Sequence, residues 1–263
     1  MRPSEPVLGI DLGSRTTKLV RFKASRIESF EVFDTNHDAL GRIEESLRGQ
    51  KFAAVVATGY GRHLLKAHFS DRAVTEIRAC ARGAQFIYPS CGMVIDIGGQ
   101  DSKAIQVRAA GGFGDFEMND RCAAGTGRFL EVMAALLGYE IEEFWREALA
   151  TEDAVSISSM CTVFAESEVI SLITSGVDRR SIALGLHHSI ADRLYGLISR
   201  VDSAGPVMLV GGVANNKCIV KLLEKRLKTD LMVPANSQIV SAVGCALIAE
   251  EGIERGQELL RGE

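Results

Sequence analysis

Two stretches of this chain are versions of one another. LGIDLGSRTTKLVRF, starting at Leu8, and MVIDIGGQDSKAIQV, starting at Met93, place Asp11 against Asp96, Gly13 against Gly98 and Lys18 against Lys103, each 85 positions apart (96 against 11). Each copy is an alternating apolar run, a glycine-bearing turn and a second alternating run, which is the pattern of a β-hairpin. An internal repeat of this size restricts the fold to two related domains, each opening on a hairpin whose first strand ends in an aspartate.

The remaining segments fit that division. Ser29 to Asp34 reads as a third strand, Asp38 to Arg48 as a helix, Ala53 to Thr58 as a buried strand ending at Gly59-Tyr60-Gly61, and Thr75 to Phe86 as a helix stopped by Pro89. Ser181 to Val201 reads as another helix and Val207 to Val210 as a strand running into Gly211-Gly212. A short segment follows from Leu231 to Pro234, and Ile239 to Ala249 reads as a long helix with a solvated charged tail from Glu250. The expected domains are residues 1–90 and 91–237, with a C-terminal helix at about 238–255 packing back on the first. No Pro-, Gly- or Ser-rich linker separates them, so they are expected to enclose a cleft. With 46% hydrophobic residues the chain can bury cores of the size this requires.

A glycine turn between two strands lets backbone N–H groups approach phosphate oxygens, because no Cβ stands in the way. Gly13, Ser14, Thr16 and Thr17 in the first hairpin, with Gly98, Gly99 and Ser102 in the second, are the candidates for this contact. Asp11 and Asp96 supply carboxylates for Mg²⁺, held directly or through water. Gln100 or Asp101 is placed to orient an attacking water, as phosphoryl transfer requires. Lys18 and Lys103 either reach the phosphates or point to solvent. In VMLVGGVANNKCI, a buried strand ends in Gly211-Gly212 and a helix begins near Asn215-Asn216, leaving room for an adenine or a ribose. Each Asp-Gly motif alone is weak, since turns favour these residues for conformational reasons. The three motifs in this order point to a nucleotide.

Six cysteines occur, at 80, 91, 122, 161, 218 and 245, without the density of a disulfide scaffold and without a CxxC pair. Cys91, Cys218 and Cys245 read as small buried hydrophobes, and Cys80 as a helix-face residue. Cys122 and Cys161 differ, because each precedes an amphipathic run: MNDRCAAGTGRFLE, and SSMCTVFAESEVISL with a stop at Gly176. A thiol at or near a helix N-terminus favours the thiolate, and with it a nucleophile or a metal ligand. The five histidines show no HExxH spacing, and His187-His188 reads as a pair on a helix surface or packed there. The net charge of -4, from 34 acidic against 30 basic residues, shows no basic face for nucleic acid. No apolar signal core and no membrane-length run appears, so a soluble cytoplasmic protein is expected.

GIDLGSRTTK, VIDIGGQDSK and LVGGVANN resemble the two phosphate motifs and the adenosine motif of the superfamily of acetate and sugar kinases, Hsp70 chaperones and actin, whose members have two actin-like (ribonuclease H-like) α/β domains. TGYGR at 58–62, MNDRCAAGTGRFLE and SSMCTVFAESEVISL narrow the resemblance to the ATPases that activate 2-hydroxyacyl-CoA dehydratases and the related subunits of benzoyl-CoA reductases. Where that family often reads EITCHARGA, Cys80 stands at the usual histidine. The resemblance implies ATP and Mg²⁺ as ligands. It also implies a homodimer with one [4Fe-4S] cluster ligated by Cys122 and Cys161 of each subunit, since such a cluster takes four thiolates. It implies one-electron donation to a dehydratase, with ferredoxin or flavodoxin as the upstream donor. A coupling of about 1 to 3 kcal/mol between sites corresponds to roughly 40 to 130 mV for one electron, so docking and hydrolysis are expected to add to nucleotide binding. The competing readings are the ATPase of a benzoyl-CoA reductase or another low-potential iron-sulfur protein, a metal-free small-molecule kinase of the same fold, and a nucleotide-dependent interaction module.

Overall fold

A computed structural model describes residues 5–158 and 162–256. The chain runs β1 (Val7–Leu12), β2 (Thr16–Lys23), β3 (Arg26–Asp34), α1 (Ala39–Leu47), β4 (Val55–Gly59), α2 (Arg62–His68), β5 (Arg72–Ala73) and α3 (Glu76–Ile87). It continues through β6 (Met93–Ile97), β7 (Ser102–Val107), β8 (Phe113–Asn119), α4 (Gly127–Leu136), α5 (Ile141–Ala148), α6 (Thr162–Thr174) and α7 (Arg179–Ile198). It ends with β9 (Val207–Val210), α8 (Lys217–Leu227), β10 (Leu231–Met232) and α9 (Val240–Glu254).

The strands form two five-stranded sheets, ordered β3-β2-β1-β4-β5 and β10-β9-β6-β7-β8. Read outward from β1 and from β6 the orders are the same: an antiparallel hairpin partner and its neighbour on one side, a later strand and its short neighbour on the other. The duplication seen in the hairpins therefore extends to whole sheets, as the expected α/β fold of two related domains requires. By contacts the chain falls into two compact units. One takes residues up to Val94, Ile105–Gly114 and those from Gln238 onward; the other takes Ile95–Ala104 and Asp115–Ser237. Among the described residues no helix is long and apolar enough to cross a membrane.

In the first unit β1 is buried along its whole length and pairs with β2 antiparallel and β4 parallel. One face of this sheet is covered by α9, whose Ala242, Val243, Ala246 and Leu247 pack with Val7, Val20, Phe22 and Val56. The approach is backbone to backbone. A methyl group added at Gly9 would lie 1.9 Å from the Ala242 carbonyl oxygen, and one at Gly244 would lie 1.8 Å from that of Ala79 on α3. Small residues here set the distance between helix and sheet, so the apolar area is buried at close range.

The segment from Glu250 is not a solvated tail. The α9 helix continues to Glu254, and Glu250 is 4% exposed. Its carboxylate accepts from the N–H (3.2 Å) and hydroxyl (3.1 Å) of Ser25, and Glu251 pairs with Arg82. The turn between β2 and β3 holds Ser25 at φ 61, and the charge composition of the tail did not reveal this partner 225 positions away. Strand β8 was also unforeseen, because FGDFEMN leaves Phe113, Phe116 and Met118 exposed instead of showing a clean apolar face.

These contacts predict opposite effects for two helix glycines. Gly244→Ala forces α9 off α3 and is expected to destabilise by about 1–3 kcal/mol, the usual cost of overpacking. Gly196→Ala in α7, where an added methyl group meets nothing within 4 Å, is expected to stabilise by about 0.5–1 kcal/mol through helix propensity. Urea titration of both variants checks the pair.

Candidate functional site

The first hairpin closes with Gly13 N–H donating to the Thr16 carbonyl at 3.2 Å. This register sets Asp11 opposite Lys18, and the Lys18 Nζ lies 3.1 Å from Asp11 Oδ2 and 3.2 Å from the Thr16 carbonyl oxygen. Ser14 and Thr16 are half-buried on the turn, and buried Thr17 bonds through its hydroxyl to that of Thr35 at 2.9 Å. Strand β4 ends alongside, with Leu12 paired to Gly59. Gly59 has φ 92, and a methyl group there would lie 2.3 Å from the Leu12 carbonyl oxygen and 2.7 Å from Asp11 Oδ1.

The second hairpin repeats the arrangement. Gly98 N–H donates to the Asp101 carbonyl at 2.9 Å. Lys103 is buried, with Nζ 2.8 Å from Asp101 Oδ1 and 3.8 Å from Asp96 Oδ2. Gly211, ending β9, has φ 87, and a methyl group there would lie 2.3 Å from the Ile97 carbonyl oxygen and 2.7 Å from Asp96 Oδ1. Gly59 is thus the counterpart of Gly211: both are strand-end glycines in a conformation L side chains rarely adopt, set against an aspartate. The sequence showed TGYGR as a motif without a role; the equivalence becomes visible only once β4 and β9 take the same place in their sheets.

Both lysines are drawn back onto their aspartates, and neither points to solvent. The carboxylates are oxygen donors suited to a hard cation, each with a lysine charge already beside it. Gly99 is half-buried and Gln100 exposed on the turn, whereas Asp101 is buried and ion-paired. Among the described residues the Ser102 hydroxyl is one of two buried side-chain oxygens without a hydrogen-bond partner, the other being that of Ser70. A buried polar atom left unpaired is costly. Ser102 begins β7 directly after the turn, so this hydroxyl, with the cradle that a Cβ at Gly98 would fill 2.8 Å from Asp101 Oδ1, fits a phosphate-bearing ligand.

Past Gly211 the chain makes a short 3-10 turn over Gly212–Asn215, and α8 begins at Lys217. Asn215 is exposed, whereas Asn216 is buried and committed at both ends. Its Oδ1 accepts from Ile219 N–H at 3.0 Å as the helix cap, and its Nδ2 lies 3.0 Å from His187 Nε2. His187 is fully buried, packs at a tilt with its ring centre 4.5 Å from that of Phe144 and bonds through Nδ1 to the Ala183 carbonyl at 2.7 Å. Nδ1 is then the donor and Nε2 the acceptor, which fixes one neutral tautomer. Burial pushes this imidazole down to about 4.

Cys122 lies in the loop between β8 and α4 and is partly exposed. The other described cysteines, Cys80, Cys91, Cys218 and Cys245, are buried. Burial pushes the Cys218 thiol up to about 12 and the Cys245 thiol well above its ordinary value. Cys122 is therefore the described thiol open to an external ligand. Cys161 lies outside the described residues; α6 starts at the next residue, and Gly176 at φ 79 follows its end, as the sequence predicts. The α4 helix starts five residues beyond Cys122 (127 against 122), and its first two N–H groups donate to the Gly98 and Gly99 carbonyls, each at 2.9 Å. Its first two amides are thus tied to the second hairpin turn and not to the thiol, so Cys122 lies near the helix start without bonding to it.

Two such glycine-turn hairpins, each with a strand-end glycine set against its aspartate on one of two similarly ordered sheets, make up an actin-like fold. The chain belongs to the BadF/BadG/BcrA/BcrD ATPase family, whose sequence profile matches residues 8–249. It is 42% identical over 259 residues to the activator of lactoyl-CoA dehydratase of Anaerotignum propionicum, covering 94% of this chain and 98% of the relative. The structure is similar to component A of the Acidaminococcus fermentans (R)-2-hydroxyglutaryl-CoA dehydratase, with TM-score 0.89 and 40% identity, covering 95% of this chain and 100% of that one. It is also similar to the activator of the 2-hydroxyisocaproyl-CoA dehydratase from Clostridium difficile with bound ADPNP, with TM-score 0.88 and 37% identity, covering 98% and 99%.

The His187 environment predicts an acid-labile fold. The unfolded chain binds this proton at the ordinary histidine value of 6.5 and the native state only near 4. Stability is therefore fully present above about pH 6.5 and is lost as pH falls toward 4, by up to about 3 kcal/mol at 1.36 kcal/mol per unit. Thermal melts of the wild type and His187→Gln across this range are expected to diverge, with the wild type losing more.

Proposed function

We propose that this protein is an ATP-driven one-electron donor to a 2-hydroxyacyl-CoA dehydratase, working as a homodimer with one [4Fe-4S] cluster held by Cys122 and Cys161 of each subunit. The observation that carries the reading is the accessible Cys122 in a loop hydrogen-bonded to the second phosphate turn. A metal-free kinase has no use for that connection. The relatives are named as activators of such dehydratases, which supports the substrate-side partner.

In this reading Gly13, Ser14, Thr16, Thr17 and Lys18, with Gly98, Gly99, Ser102 and Lys103, bind the phosphates of ATP. Asp11 and Asp96 hold Mg²⁺, and Gln100 orients the attacking water, with Asp101 holding Lys103 in place. Gly211, Gly212 and Asn215 leave room for the adenosine, while Asn216 shapes the motif from beneath through α8 and His187. The cluster supplies a low-potential one-electron carrier. Two thiolates per chain are half of what it takes, so a second copy completes the set. The α6 helix supports such a partner: Val163, Phe164, Ile170 and Ile173 are exposed on it, with Phe164 at 67%, and only Ala165 and Val169 are buried. A largely uncovered apolar helix next to Cys161 is suited to an isologous interface. Ferredoxin or flavodoxin is the proposed upstream donor, and the cytoplasm the proposed location.

Anaerobic purification with iron analysis and solution mass tests this. The expected result is a dimer with about four irons, and Cys122→Ser is expected to lose the cluster spectrum while keeping ATP binding. A monomer without iron, or an unchanged spectrum in Cys122→Ser, sinks the reading.

A further inference from the structure

The segment carrying Cys122 is clamped at three consecutive carbonyls. Asn119, the last residue of β8, donates from Nδ2 to the carbonyl oxygens of Cys122 at 2.8 Å and Ala124 at 3.1 Å. The carbonyl between them, that of Ala123, accepts from Thr126 N–H at 3.0 Å and from the Thr126 hydroxyl at 2.6 Å. Three consecutive peptide oxygens thus face protein donors. One side chain, Asn119, supplies two of those bonds.

At its far end the same loop meets the second phosphate turn through Gly127 N–H to the Gly98 carbonyl and Arg128 N–H to the Gly99 carbonyl. A peptide group is one rigid plane, so the Gly98 carbonyl moves with the N–H of Gly99, and the Gly99 carbonyl with that of Gln100. A phosphate taken up by those two N–H groups acts on the planes that hold the start of α4, and hydrogen bonds in such a chain polarise one another. Gly125, at φ 91, lies within the clamped stretch, and a methyl group there would lie 3.4 Å from Arg193 Cδ on α7.

We infer that Asn119 is a positioning residue that fixes the Cys122 loop between β8 and α4, so that phosphate binding at Gly98 and Gly99 is transmitted to the Cys122 thiolate. This rests on the proposed function for the identity of the ligands at either end. The Asn119 amide is spent on the Cys122 and Ala124 carbonyls, so it acts through the backbone of the cysteine it holds.

The test is Asn119→Asp, which keeps the shape and removes the donor. In anaerobically purified holoprotein, iron removal by a chelator is timed with ADP and with ATP, and nucleotide affinity is measured alongside. In iron-free protein, alkylation of Cys122 by iodoacetamide is timed with the same two nucleotides. The wild type is expected to show roughly 5-fold or more difference between ADP and ATP, and Asn119→Asp a ratio near one with nucleotide affinity unchanged. A variant that keeps the wild-type ratio overturns the inference, and so does a wild type with no nucleotide response in either assay. Should Asn119→Asp fail to fold, Asn119→Ala takes its place, and loss of fold in both overturns it as well, since Asn119 would then hold the whole unit. A wild type that binds no iron overturns the proposed function instead, and the alkylation assay still decides the role of Asn119.

Discussion

The close approach of a strand-end glycine to the aspartate of the neighbouring strand is the constraint on which the rest of this structure depends. Gly59 lies against Asp11 and Leu12, and Gly211 against Asp96 and Ile97, each at a positive φ and each with no room for a methyl group. A side chain at either position would push the later strand away from the hairpin and open the turn. Because the approach occurs twice with the same distances, both carboxylates meet their glycine in the same way, although Lys18 sits on Asp11 at 3.1 Å whereas Lys103 sits on Asp101 at 2.8 Å and only 3.8 Å from Asp96. Similar geometry on twin sheets is what a duplicated unit produces, and it gives both glycine turns a backbone scaffold of buried strands.

From the second turn the same rigidity passes outward. The carbonyls of Gly98 and Gly99 occupy the first two N–H groups of α4, which an isolated helix would leave to solvent or to a ligand. The buried His187 plays a comparable part under the turn after β9. It is kept neutral by burial and aligned by Ala183, so it holds Asn216 without placing a charge beneath the turn.

Much of this was legible in the sequence because it rests on short-range patterns. The alternation and the 85-residue repeat exposed both hairpins and the places of Asp11, Lys18, Asp96 and Lys103 in them, though not the pairing of each lysine with a carboxylate, and the apolar run VMLV marked β9 to the residue. What escaped notice depends on contacts distant along the chain. Glu250 reads as a surface charge until Ser25 is brought to it, and His187 reads as one of a helix pair until Asn216 and Phe144 enclose it. Gly59 carries no local mark that separates it from any turn glycine. Cys122 precedes an amphipathic run as a helix-terminal thiol does, yet the four residues between it and the helix (123–126) and the claim of Gly98 and Gly99 on the helix amides are invisible to periodicity.

The central claim is that ATP, bound by the twin hairpins, governs release of an electron from a centre that includes Cys122. The most direct measurement is rapid mixing of the reduced dimer with the dehydratase, following cluster oxidation by absorbance with ATP, with a non-hydrolysable analogue and without nucleotide. We expect oxidation at a rate set by ATP, with little transfer in its absence. Oxidation at the same rate in all three mixtures would contradict the claim.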